Sequence, residues 1–382
     1  MNNRPIATRV EPTPGALRVE WAGGEVSEFA SLWLRDNRPD DRDPHNGQRL
    51  IGVVELPADP RIRSAVAANG HVVVEWEGEP HRTSFELEWL ARHAAAGDDQ
   101  RPELRARLWL DGGALDAGRD FAWASFIDVQ RDDVARVDWL TRLLQDGMAF
   151  LRGVPCTGAG ILDAVALIGR VCETNYGLVF DVRSVVRPEN LAYSDLGLGL
   201  HTDNPYRDPV PGFQALHVLT ASRDGGDSLF ADGFAIAEHL RATDPEAFTL
   251  LTRTAVPFRY QSKDADLYAE RPLIQLSCRG AVAAVHYNSR SIAPLRLALE
   301  DVRPYYTAYR RFGVLLRDSR LQLRLRLDDG EMVVFDNQRI LHGRTGFTSA
   351  RYPRYLRGCY LTRDSVYSET ARVRRGLDRE KQ

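Results

Sequence analysis

Hydrophobic and polar positions alternate in short runs through the first hundred residues. GALRVEWAGG (15–24), RLIGVVEL (49–56) and HVVVEWEG (71–78) set apolar or β-branched residues between Gly, Pro and Asp, the pattern of strands bounded by turns. WLRDNRPDDRDPHNGQR (33–49) has the composition of a loop, and EWLARHAAAG (88–97) predicts a short helix that stops at Gly97. The polar stretch GDDQRPELRAR (97–107) reads as a linker, which places a boundary near residue 100. No internal repeat and no low-complexity tract stands out.

Downstream the period lengthens. DDVARVDWLTRLLQD (132–146) puts Val134, Val137, Leu140 and Leu144 on one helical face, with an acidic start and Gly147 after its end. MAFLRGV (148–154) predicts a buried strand and ILDAVALIGRVC (161–172) a second helix. Asp244-Pro245-Glu246 reads as an N-cap followed by a first-turn proline, opening a helix through 252. Residues 301–317 predict another helix, and strand-like runs recur at 213–220, 254–260, 281–287, 321–327, 331–336 and 355–361. Many strands with helices clustered before and between them indicate an α+β fold, compatible with a double-sheet jelly roll.

Composition narrows the class. The chain has 382 residues, 43% hydrophobic and 27% charged, as expected of a folded chain of one large or two unequal domains. A net charge of −3 offers no electrostatic case for nucleic acid or an anionic membrane. Nearly every cation is Arg, the lysines being Lys263 and Lys381. Cys156, Cys172, Cys278 and Cys359 form no CxxC pair and imply no disulfide framework. The start MNNRPIATRV has no apolar run, and no later stretch is long enough to span a membrane, so a cytoplasmic location is expected.

His201-Thr202-Asp203 is the first chemical feature. Two residues apart on a strand, the imidazole and the carboxylate share a face. His342 follows the apolar MVVF and sits in DNQRILHGRTGF (336–347). Two imidazoles and one carboxylate are the ligand set of the facial triad that binds Fe(II) with open positions for substrates. Arg354, a short way further in ARYPRYLRGCY, can bind a carboxylate in bidentate fashion. GGDS (225–228) lacks the P-loop pattern and reads as a tight turn between strands, and no GxSxG occurs.

Together HTDNPYRDPVPGFQALHVL, GGDSLFADGF, FDNQRILHGRTGF and RYLRGCYLTRD resemble the γ-butyrobetaine hydroxylase branch of the Fe(II)/2-oxoglutarate dioxygenases, in the TauD/TfdA superfamily. WLRDN and GQR (33–49) resemble that branch's N-terminal domain. The resemblance implies a double-stranded β-helix (jelly-roll) oxygenase domain with flanking helices over 101–382, and a small β-rich N-terminal domain over 1–100. It implies iron on His201, Asp203 and His342, and 2-oxoglutarate on Arg354 and Asn190. The cofactors would be Fe(II), 2-oxoglutarate and O2, with 2-oxoglutarate decarboxylated to succinate as an unactivated C–H is hydroxylated. It also implies a homodimer.

The same resemblance implies an aromatic cage for a trimethylammonium group, since ring faces attract a cation that cannot donate hydrogen bonds. Tyr176, Phe180, Tyr193 and Tyr360 fall at cage positions, Phe180 where Trp is expected. Asn190, Asn204, Tyr206, Asn288 and Arg290 would serve the anionic end, with Arg290 on the same side of a strand as Asn288. A cation there favours a phosphonate, as in the branch that hydroxylates 2-(trimethylammonio)ethylphosphonate. The alternatives are γ-butyrobetaine hydroxylation to carnitine, a related reaction on trimethyllysine, and a non-catalytic barrel that binds a quaternary ammonium ligand. Related enzymes carry a Cys₃His zinc site in the N-terminal domain. Here Arg38, Asp40 and Asp43 stand at the Cys positions and His81 remains, so no structural zinc is expected. Residues 181–200, with Gly197 and Gly199, are expected to form a lid.

Overall fold

The computed structural model describes residues 5–94, 104–183, 197–347 and 354–380. The chain divides into two compact units, Met1–Pro102 and Glu103–Gln382. No helix among the described residues is long and apolar enough to cross a membrane.

The first unit is built twice from one plan. Strands β1 (Ala7–Thr13), β2 (Ala16–Trp21) and β3 (Val26–Ala30) form an antiparallel meander that leads into helix Ser31–Asp36. Strands β4 (Ile62–Ala68), β5 (His71–Trp76) and β6 (Arg82–Glu86) repeat it and lead into helix Leu87–Arg92. Both central strands bury every second residue: Leu17, Val19 and Trp21 in β2, and Val72, Val74 and Trp76 in β5. The matching indoles make matching bonds, Trp21 Nε1 to Ser27 Oγ at 2.8 Å and Trp76 Nε1 to Thr83 Oγ1 at 2.9 Å. Trp33 and Trp89, one from each helix, stack with ring centroids 5.2 Å apart. This corrects the expectation of no internal repeat. The shared signal is VEW in the middle strand and a Phe, Trp and Leu at equal spacing behind it, too sparse to stand out by eye.

RLIGVVEL is also corrected. It is not a strand but bends and a single 3₁₀ turn at Val53–Glu55, with Val54 87% exposed. At the positions considered for zinc, Arg38 pairs with Glu79 at 3.0 Å and with Asp40 at 3.3 Å. Asp43 Oδ1 accepts from the backbone N–H of His45 and Asn46, closing a turn, and His81 is exposed.

The second unit faces two sheets across one core. The larger runs β10 (Phe180–Arg183), β21 (Tyr355–Leu361), β12 (Phe213–Thr220), β19 (Met332–Asp336), β8 (Met148–Arg152), β7 (Ala122–Ser125), with β9 (Val171–Cys172) against β21. The smaller runs β11 (Leu198–His201), β20 (Ile340–Arg344), β13 (Ser228–Asp232), β18 (Leu323–Leu325). Successive strands switch sheets, β12 to β13 and then β18 through β21, which is the jelly-roll winding. Side chains of both sheets meet between them, Phe230 of β13 lying 5.6 Å from Phe335 of β19 by ring centroids. Short hairpins β14 (Val256–Gln261) with β15 (Asp266–Arg271) and β16 (Ile274–Leu276) with β17 (Val282–Val285) extend the fold on one side.

Helix Asp133–Asp146 packs on the large sheet through Trp139, Leu140, Leu143 and Leu144, and Gly147 ends it in the left-handed conformation. The buried stripe is therefore shifted from the expected one, and Val134 is 57% exposed in the first turn. The second predicted helix is shorter than 161–172: it covers Gly160–Val165, and Val171–Cys172 pairs with β21 instead. Asp244 caps helix Pro245–Arg253 through the Ala247 N–H at 3.1 Å, as its sequence predicts.

One buried ion pair ties the small sheet to the rest of this unit. The Arg339 guanidinium, 2% exposed as a side chain, meets Asp232 at 2.7 Å and donates to the carbonyls of Gln145 (2.8 Å) and Arg107 (2.7 Å). Asp232 also accepts from the first N–H groups of helix Gly233–Thr243. Removing one member leaves the other charge buried and unpaired. Asp232→Ala is expected to cost about 3–5 kcal/mol in urea unfolding. Asp59→Ala, which removes an exposed pair with Arg61, is expected to leave the midpoint unchanged.

Candidate active site

Pairing of β11 with β20 sets His201 directly opposite His342. This register brings two distant parts of the sequence together, with the imidazole centroids 4.4 Å apart. Asp203 completes the group, and the ligand atoms of all three side chains lie within 4.8 Å of one another. Asp203 does not share a strand face with His201, because β11 ends at His201. Its place comes from the turn beyond. Thr202 N–H donates to the Tyr287 carbonyl at 2.8 Å, and Asn337 clasps the Asp203 backbone. The Asn337 Oδ1 accepts from Asp203 N–H at 2.7 Å, while its Nδ2 donates to the carbonyls of Asp203 (3.1 Å) and Pro211 (3.2 Å). Asn337 is wholly buried.

The donor chemistry fits a divalent cation. His201 Nδ1 lies 2.9 Å from the Gly199 carbonyl, which only accepts, so that nitrogen carries the proton. The His201 Nε2 faces Asp203 Oδ1 at 3.2 Å, so both atoms are turned toward one point that a metal cation can occupy. His342 Nε2 faces Asp203 Oδ2 at 3.8 Å. Burial, then the neighbouring His201 and Arg290, pushes the His342 imidazole down to about 3, so it is neutral and ready to ligate. Burial works to raise the Asp203 carboxyl, but the two imidazoles and the Tyr360 hydroxyl outweigh it and hold the group well below the usual range.

An aromatic wall adjoins the triad. Tyr360 donates to Asp203 Oδ2 at 2.7 Å, and its ring lies 5.1 Å from that of Phe180. Tyr176 meets Phe180 edge to face at 6.3 Å, and Tyr206 stacks on Tyr260 at 5.2 Å. Tyr176 also meets Tyr260 at 6.0 Å. Burial pushes the Tyr206 hydroxyl up to about 12, so it stays protonated and donates to Asn204 Oδ1 at 2.6 Å. That bond turns the Asn204 amide so that Nδ2 is buried without a partner among the described residues. Asn204 holds φ +55°, a strained conformation that Asn tolerates better than most residues.

Two of the predicted arginines have separate surroundings, Arg290 near Asp203 and His342, and Arg354 near Arg344 and Asp227. Arg354 lies over the turn before β13, where a Cβ on Gly226 (φ +73°) would sit 3.0 Å from the Arg354 Cδ. Burial and the nearby Arg344 push the Arg354 guanidinium down to about 10, and Asp227, which opposes this, is already held by Arg324 and Arg326. Arg290 is not on a strand. It follows β17 in a turn in which Asn288 Oδ1 accepts the Arg290 backbone N–H at 3.2 Å. Desolvation lowers the Arg290 guanidinium, while Asp203 and Tyr206 favour its charge. Among the described residues, neither Arg290 nor Arg354 has an ion-pair or hydrogen-bond partner for its guanidinium.

Residues 117–360 match the model of the family described as "Taurine catabolism dioxygenase TauD, TfdA family". The chain belongs to the TauD/TfdA family. It is similar to the gamma-butyrobetaine dioxygenase of Pseudomonas sp. (strain AK-1), 34% identical over 95% of each chain. It is also similar to human gamma-butyrobetaine dioxygenase, 26% identical over 97% of this chain and 98% of that one. The trimethyllysine dioxygenase of Meyerozyma guilliermondii is 26% identical over 92% of each. This TauD/TfdA enzyme is a 2-oxoglutarate-dependent dioxygenase that uses Fe(II), 2-oxoglutarate and O2.

Of the residues predicted from the sequence, the TauD/TfdA site brings together His201, Asp203, His342, Tyr176, Phe180, Asn204, Tyr206, Arg290 and Tyr360. Asn190 and Tyr193, and most of the expected lid 181–200, lie outside the described residues. Asn288 is turned inward: its Nδ2 donates to the Thr202 carbonyl at 3.1 Å, so it props the triad turn instead of lining open space. Sequence reasoning missed Tyr260, which stacks on Tyr206 from a separate hairpin, and Asn337, whose only signal was its place in the quoted DNQ. Asn337→Ala is expected to weaken Mn(II) binding about 10- to 100-fold while the protein stays folded. Titration followed by electron paramagnetic resonance measures this, and unchanged affinity would show that the clasp does not position Asp203.

Proposed function

We propose that this dioxygenase hydroxylates an aliphatic C–H of a small zwitterion that carries trimethylammonium at one end and a phosphonate at the other. The observation that carries the reading is the pairing of opposite preferences around one triad. Aromatic faces that suit a cation adjoin the triad, and the exposed Arg290, close enough to Asp203 and Tyr206 for both to favour its charge, offers a cation to an anion. The two curated γ-butyrobetaine relatives and the trimethyllysine relative support a trimethylammonium substrate by their names.

In this reading His201, Asp203 and His342 hold Fe(II), and Arg354 takes the far carboxylate of 2-oxoglutarate. When bound, iron and 2-oxoglutarate supply the oxidative decarboxylation to succinate and CO2 and the oxidising power for C–H hydroxylation. The chain supplies placement. Tyr176, Phe180 and Tyr360 orient the ammonium by contact with their ring faces. Asn204 Nδ2, an unpaired buried donor, and Tyr206 serve the anionic end with Arg290. Burial of the triad keeps water from the neutral His342 imidazole.

The 2-(trimethylammonio)ethylphosphonate reading rests on Arg290, because a doubly charged anion gains more from a guanidinium than a carboxylate does. The γ-butyrobetaine reading is favoured by the 34% identity across 95% of each chain. Succinate formation with each compound, side by side, decides between them. The phosphonate is expected to be turned over, and Arg290→Ala is expected to lower its kcat/KM about 10-fold or more, a loss of about 1.4 kcal/mol or more. Turnover of γ-butyrobetaine alone, or turnover of the phosphonate untouched by Arg290→Ala, would overturn the phosphonate assignment.

A further inference from the structure

Tyr360 belongs to two parts of the site at once. Its ring forms the inner face of the aromatic wall, tilted 35° against Phe180 at 5.1 Å. Its hydroxyl donates to Asp203 Oδ2 at 2.7 Å. The residue is 4% exposed and is held in β21 from both sides, opposite Gln214 of β12 and Cys172 of β9. Phe180 in turn is fixed across β21 opposite Gly358, where a Cβ would lie 2.4 Å from the Phe180 ring. The Phe180 ring thus lies against the backbone of the strand that carries Tyr360.

The two oxygens of Asp203 therefore have different roles. Oδ2 accepts the Tyr360 hydroxyl, with His342 Nε2 further off at 3.8 Å, and Oδ1 stands 3.2 Å from His201 Nε2. We propose that Tyr360 is a positioning residue for the metal carboxylate. By occupying Oδ2 it leaves Oδ1 to face the cation, and through its ring it ties that choice to whatever fills the aromatic wall. A carboxylate without that bond can turn so that Oδ1 no longer faces the cation, which weakens its hold on the metal. The hydroxyl prevents this, and the shared ring makes the metal carboxylate sensitive to substrate contact. The second half of the inference rests on the reading of the wall as an ammonium site; the first half does not.

Tyr360→Phe keeps the ring and removes only the hydroxyl; Tyr360→Leu removes both. The first measurement is Mn(II) affinity by electron paramagnetic resonance, with no cosubstrate and no oxygen, on variants whose thermal unfolding matches wild type. Tyr360→Phe is expected to weaken Mn(II) about 10- to 100-fold. The second is the ratio of succinate to hydroxylated product with a trimethylammonium zwitterion. Tyr360→Phe is expected to raise that ratio with little change in substrate KM, and Tyr360→Leu to raise KM as well. Wild-type Mn(II) affinity in Tyr360→Phe would overturn the positioning role. A wild-type product ratio would overturn the coupling. If wild-type protein turns over no trimethylammonium compound, the substrate reading fails, and the Mn(II) arm still decides the role of the hydroxyl.

Discussion

The site depends on three ligand groups held within 4.8 Å of one another, with His201 Nε2 3.2 Å from Asp203 Oδ1. Proteins keep such groups together when a cation binds between them, and when surrounding bonds fix them against relaxing apart. Here the fixing bonds are specific. The cross-strand register of β11 and β20 sets the two imidazoles, Gly199 fixes one tautomer, Asn337 clasps the Asp203 backbone and Tyr360 holds its outer oxygen. A buried ion pair, Arg339 with Asp232, anchors β13 beside β20 from behind.

Around that point the charges are laid out with a direction. The Arg354 guanidinium lies near a second arginine and an aspartate already engaged by others, so the pocket there is short of negative charge. Arg290 stands near the triad, where Asp203 and Tyr206 favour its charge. Tyr176, Phe180 and Tyr360 add aromatic faces beside the same triad. Guanidinium groups suit anions and aromatic faces suit a cation with no hydrogen to donate, which matches a dicarboxylate and a zwitterion.

Much of this was legible in the sequence. The MVVF run could be read as a strand because a fully buried strand leaves a continuous apolar run, but His342 lies in the middle of β20, a strand that the pattern did not show. GGDS could be read as a turn because its paired glycines take the positive φ that turns need. Other features were hidden for identifiable reasons. Asp203 sits in a turn held by Asn337, far away in sequence, and Arg290 in a turn closed by Asn288 two residues before it, so a strand pattern misassigned their faces. RLIGVVEL is apolar yet exposed, and composition alone cannot separate it from a buried strand. Tyr260 reaches the wall only because its hairpin folds onto Tyr206, which no local signal reports. The repeat in the first unit lies in a few spaced positions, and its matching indole bonds became visible only in three dimensions.

The most direct test of the account is an anaerobic calorimetric titration of Fe(II) into metal-free protein, for wild type and His342→Ala. The account predicts a single saturable site per chain in wild type, tightened by 2-oxoglutarate and lost in His342→Ala. A wild-type isotherm that His342→Ala leaves unchanged, or no saturable binding in wild type, would contradict it.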